Sequence, residues 1–131
     1  MFSFSAVPAT LADGHKMVRG ILEANRTVTT STNTTGSNTL GAISASQRLS
    51  ASLHVFTLSG TSPTLDVKVQ SDNNSGFTTP TDRITFAQAT TRSGQFSYIN
   101  GAVTDTYWRV AWTIGGTGTP TVAFAVSLGI A

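Results

Sequence analysis

Tyr107-Trp108-Arg109-Val110-Ala111-Trp112-Thr113-Ile114, then Gly115-Gly116-Thr117-Gly118-Thr119-Pro120, then Thr121 to Ile130, is the stretch that decides the fold. Successive side chains of a strand face opposite ways, so Trp108, Val110, Trp112 and Ile114 share one face. Tyr107, Arg109, Ala111 and Thr113 share the other. Past the Gly-rich segment, Val122, Phe124, Val126, Leu128 and Ile130 resume the alternation, backed by Thr121, Ala123, Ala125, Ser127 and Gly129. The pattern predicts a C-terminal hairpin that turns at 115–120, with both tryptophans on a face that floors a core.

The same logic extends towards the N-terminus. Arg48 to Leu58 reads as a long strand, with Leu53 and Val55 on one face and Phe56 and Leu58 on the other. Gly60-Thr61-Ser62-Pro63 reads as a turn, after which Leu65, Val67 and Val69 alternate with Asp66, Lys68 and Gln70. This unit echoes the C-terminal one: strand, Gly-Thr segment, Pro-Thr, strand. Ser71 to Gly76 is a loop signal, and Phe77 is expected to plug the core after it. Ile84 to Phe86 and Phe96 to Ile99 are two short strands, the second closed by an Asn100-Gly101 turn. Leu40 and Ile43 begin another. Ser31 to Asn38 has no apolar residue and reads as a solvated loop. His15 to Ala24 has conceivable helix spacing, but Gly20 and the following Thr run favour a strand with a bulge.

Residues 1–14 read as an N-terminal arm, in which Phe2 and Phe4 alternate with serine, Pro8 breaks the pattern, and Asp13-Gly14 marks a turn. Phe2, Phe4 and Val7 are its candidate protein-interface residues: they cover the edge of their own domain or dock on a neighbouring subunit. Residues 15–131 form the single domain. The expectation is an all-β chain of about eight strands without helix, at the spacing of an antiparallel sandwich or barrel.

A chain of 131 residues is one domain, able to bury a sheet-on-sheet core without staples. It has no cysteine, which removes disulfides, thiolate chemistry and cysteine-based metal sites together. Only 11% of residues are charged, and a pI near 9.5 reflects eight cations against six anions. Arg19, Arg26, Arg48, Arg83, Arg92 and Arg109 are scattered, so no nucleic-acid partner is expected. No stretch approaches about 18 continuous apolar residues, so no spanning helix is expected. The first residues lack the pattern of a secretory signal. Sequons at Asn25, Asn33 and Asn73 carry little weight in so Thr-rich a chain.

Residues able to carry chemistry are few. His15 and His54 lie far apart, neither beside a metal-ligand neighbour, and His54 reads as a strand residue facing solvent or an interface. Asp13, Glu23, Asp66, Asp72, Asp82 and Asp105 are dispersed, and nothing selects an acid/base pair among them. Gly115 to Gly118 lacks the lysine and helix of a phosphate loop. Asp72, Asn73, Asn74 and Asp82 could offer oxygens to calcium, but turn chemistry explains them better. Tyr98, Tyr107, Trp108 and Trp112 could stack on sugars, yet the tryptophans share a face with Val110 and Ile114, which favours a core. No catalytic, cofactor or metal residue is expected.

The stretch from Gly60 to Asp72 and on to Phe77, with Tyr107-Trp108-Arg109-Val110 and Gly115 to Pro120, resembles small tailed-bacteriophage virion proteins. These are the capsid cement or decoration proteins, with a jelly-roll-like β-sandwich. The likeness covers residues 50–130 and brings no catalytic motif. It implies a non-enzymatic structural protein of the capsid surface, made in the host cytoplasm, with the major capsid protein as partner and a homo-oligomer, a trimer above others, as the working unit. The alternative is a carbohydrate-binding β-sandwich module of a virion or host-recognition protein.

Overall fold

The structure, a computed structural model, describes residues 38–130 together with 9–10, 16–17 and 32–33, and side chains from Leu40 onward. Described residues are organised by antiparallel strands, with no helix among them. Four are two-residue segments: β1 (Ala9–Thr10), β2 (Lys16–Met17), β3 (Thr32–Asn33) and β4 (Asn38–Thr39). Four are longer: β5 (Arg48–Asp72), β6 (Thr81–Thr85), β7 (Ser93–Asn100) and β8 (Tyr107–Ile130). β1 pairs with β2, Ala9 opposite Met17, across the segment that contains Asp13-Gly14.

The expected C-terminal hairpin is not formed. Tyr107–Ile130 is one strand of 24 residues, and Arg48–Asp72 is likewise one strand of 25. The two run antiparallel along almost their whole length, from Leu49 opposite Ile130 to Asp72 opposite Tyr107. The Gly-rich segments of the two strands lie against each other, Thr61 opposite Thr117 and Thr64 opposite Gly115, and the register slips around them. Each was expected to reverse its own chain. Instead they bend a two-stranded ribbon together, because each strand's hydrogen-bond partner is the other strand and not its own continuation.

The bend is sharp. Trp112 and Phe124 stand twelve residues apart in one strand. An unbent strand would hold them about 40 Å apart at its usual rise. Their ring centroids lie 5.4 Å apart in an edge-to-face contact. The ribbon therefore folds over on itself, and its two halves share one interior. Leu49, Leu53, Phe124, Val126 and Leu128 of one half join Leu65, Val67, Val69, Trp108, Val110 and Trp112 of the other in a single apolar cluster. Both tryptophans are buried, as their alternation predicts, and the indole N–H of Trp108 donates to the Gly41 carbonyl at 3.0 Å.

Glycine is required where the two strands cross closest. Gly60 has φ +121°, and a Cβ there would stand 2.8 Å from the Pro120 Cα. Gly116 has φ +115°, and its Cβ would stand 2.9 Å from the Ser62 carbonyl oxygen. No side chain fits either position, and L-residues rarely adopt that backbone.

Around the ribbon, β7 flanks residues 48–55 of β5, and β6 flanks residues 68–71. β3 and β4 add to the other edge, opposite residues 107–112 of β8. The Ser31–Asn38 segment was expected to be a solvated loop, yet Thr32, Asn33 and Asn38 within it are paired strand. Backbone pairing requires no apolar side chain, and threonine suits an edge. Phe77 is another correction: it is half-buried at φ +50°, with the Arg109 guanidinium 4.6 Å from its ring centroid, and does not enter the core. Leu40 packs on the core, and Ile43 bridges to Val103. The arm residues Phe2, Phe4 and Val7 lie outside the described residues.

Candidate functional site

Strand β7 is built inside out. Its alternation turns Ser93, Gln95, Ser97 and Ile99 inward, half-buried, and Gly94, Phe96, Tyr98 and Asn100 outward. A strand that packs on a core ordinarily buries its aromatics and exposes its serines. Here Phe96 is 67% exposed and Tyr98 49%, and on the neighbouring strand Phe56 is 44% exposed. These are the large exposed hydrophobics among the described residues, and they gather on the outer face of one half of the ribbon. Of the inward polar residues Gln95 is satisfied by acting as a strand partner, whereas the buried Ser93 hydroxyl has no hydrogen-bond partner among the described residues. The Gln95 amide accepts from the Ala87 N–H and donates to the Ala87 carbonyl, each at 2.9 Å.

Cross-strand register fixes what lies beside the aromatics. Tyr98 stands opposite Ser50, Phe96 opposite Ser52, and Gly94 opposite His54. One strand further, Ser52 faces Ser127, their hydroxyls 2.9 Å apart, and Ser50 faces Gly129. The face is therefore an aromatic ridge beside a floor of Ser, Ala and Gly. Arg48 closes one end. Its guanidinium lies 4.4 Å from the Tyr98 ring centroid, and its Nε donates to the Asn100 Oδ1 at 2.9 Å. The ridge carries Arg48 and His54 and, among the described residues, no carboxylate.

The outer face of the other half is chemically closed. Lys68 and Gln70 both donate to Asp82, at 2.7 and 2.6 Å, and hold its carboxyl below the usual range, with Lys68 the larger cause. Arg109 donates to Gln70 at 2.8 Å, and Gln88 donates to Asp66 at 3.0 Å. Each of these four charges has a local partner.

The remaining candidates from the sequence are placed apart. Tyr98 is on the ridge, Tyr107 is half-buried elsewhere, and Trp108 and Trp112 are interior, so the four do not form one platform. Asp72 accepts from the Asn74 and Thr79 backbone N–H groups at 3.0 and 2.9 Å, which is turn chemistry. Asp105 meets the buried Ser71, whose hydroxyl donates to it at 2.6 Å and accepts from Arg83 Nε at 2.7 Å. That hydroxyl is spent on structure. No group of three metal-ligating side chains occurs among the described residues. Nor is any described helix long and apolar enough to cross a membrane. The ridge was not legible in the sequence because Phe96 and Tyr98 share the more apolar face of this strand, which alternation alone would turn inward; only the neighbouring strands set it outward. No protein-family model and no curated protein matches the chain.

Proposed function

We propose that the chain is a non-enzymatic structural protein that docks on another protein surface, as a decoration protein of an assembled phage head. The observation that carries this reading is the inverted strand β7, which keeps polar side chains inside and displays aromatics on an open face. Exposed apolar clusters of this kind mark interaction sites. The ribbon folded over on itself supports a jelly-roll-like β-sandwich, an architecture that stacks two sheets. The phage part of the reading rests on the resemblance carried by residues 50–130. A carbohydrate module fits less well. Phe96 and Tyr98 are tilted by 41° with centroids 6.3 Å apart, and Arg48 lies over the Tyr98 ring, so the pair offers no flat platform to a pyranose.

A protein that binds only the assembled state shifts assembly towards that state. Sedimentation with assembled heads of the source phage, and separately with unassembled capsid protein, tests the proposal. Co-sedimentation with heads alone is expected. Absence from the head pellet at micromolar protein would overturn it.

A further inference from the structure

The outer edge of β7 is unpaired among the described residues. Natural proteins protect edge strands with charge, proline or bulges, because unpaired N–H and C=O groups are a template for another strand. β7 has none of these protections. Ser93–Asn100 contains no charged residue and no proline, and its eight residues pair with β5 without a register shift. Among the described residues, no strand pairs with its other edge. The inner rim beneath is sealed by the Gln95 amide on Ala87, so what stays open is the backbone edge itself.

We infer that β7 pairs antiparallel with β7 of a second copy of this chain, continuing the sheet across a twofold axis at Ser97. The strand selects this occupant and this register. In an antiparallel pair, residues directly opposite share a face. Centring on Ser97 sets Phe96 opposite the second copy's Tyr98 and Tyr98 opposite its Phe96, two aromatic cross-strand pairs on the outer face. The same register sets Gly94 against Asn100 twice, and Gln95 against Ile99 on the inner face. A twofold contact must be self-complementary. An uncharged strand meets a copy of itself without repulsion, and the Arg48 side chains lie one strand back on either side. A foreign strand would gain the same backbone bonds but would have no reason to match the aromatics. The pairing is independent of any capsid. It would join two aromatic ridges into one continuous surface.

The absence of cysteine makes the register directly readable. Ser97→Cys in the full chain, treated with a short bis-maleimide, should give a covalent dimer. Ser127→Cys, exposed on β8 two strands from the axis, should not. Light scattering of the full chain should give twice the monomer mass. Phe96→Lys, at a position 67% exposed, should weaken the dimer at least about tenfold, while the melting temperature of the dissociated monomer, read at high dilution, stays unchanged. A monomer at about 100 μM would overturn the inference, as would a trimer, equal cross-linking from position 127, or a dimer indifferent to Phe96→Lys. A chain that is monomeric alone but loses head binding on Phe96→Lys would assign the edge to a foreign partner and overturn it too.

Discussion

At the scale of single residues, Asp105 is a buried charge held by two donors. Ser71 and then Arg83 donate to it, and Arg83 Nη2 lies 2.8 Å from its carboxylate. These contacts lower its pKa from the ordinary 3.8, against burial, which raises it. The folded state therefore binds this proton more weakly than the unfolded chain does. The stabilisation is full above the unfolded pKa and is lost as pH falls through the folded value. Asp105→Asn should cost about 1.5–3 kcal/mol at pH 7, the range for a hydrogen bond to a charged group. In denaturant unfolding, the gap from the native chain should narrow below about pH 4. A gap that does not change with pH would remove the charge from the explanation. Burial of Trp108 and Trp112 was readable because alternation is local. The pin of Ser71, Arg83 and Asp105 was not, because its members come from three separate segments and nothing local pairs them.

At the scale of elements, the bend governs the fold. The glycines at 60, 115, 116 and 118 were legible as breaks in two strand patterns. Whether such a break reverses a chain or bends a ribbon depends on the partner of each strand, and that pairing is long-range. The chemistry was therefore visible and the topology was not. Gly116→Ala tests the bend: the methyl would meet the Ser62 carbonyl, in a backbone conformation that alanine resists. A loss of about 2–3 kcal/mol is expected, the upper part of the range for one strained residue. A loss below about 0.5 kcal/mol, measured by urea unfolding, would mean that the close approach relaxes freely. The strand that became the candidate site was also seen in the sequence, from Phe96 to Ile99. Its orientation was not, since only its neighbours decide which side is inside.

At the scale of the whole molecule, neither half of the folded ribbon owns a core. β5 and β8 each run through both halves, and the apolar cluster draws on all four segments. Unfolding one half would strip the inner face of the other. A single cooperative transition is expected, with tryptophan fluorescence and far-UV circular dichroism coinciding along the denaturant axis. The amides of Leu53 and Val69, one in each half, should exchange with the same global opening. Transitions that separate, or exchange energies that differ by more than about 2 kcal/mol, would show that the halves open independently. The folded ribbon also has a consequence for synthesis. Translation delivers β5, β6 and β7 before β8, and residues 122–130 of β8 are the partners of residues 49–58. While the ribosome is still making β8, one edge of β5 waits with its hydrophobic face uncovered. In that interval neighbouring nascent chains compete for the same ladder, and slower translation of residues 107–130 would lengthen it.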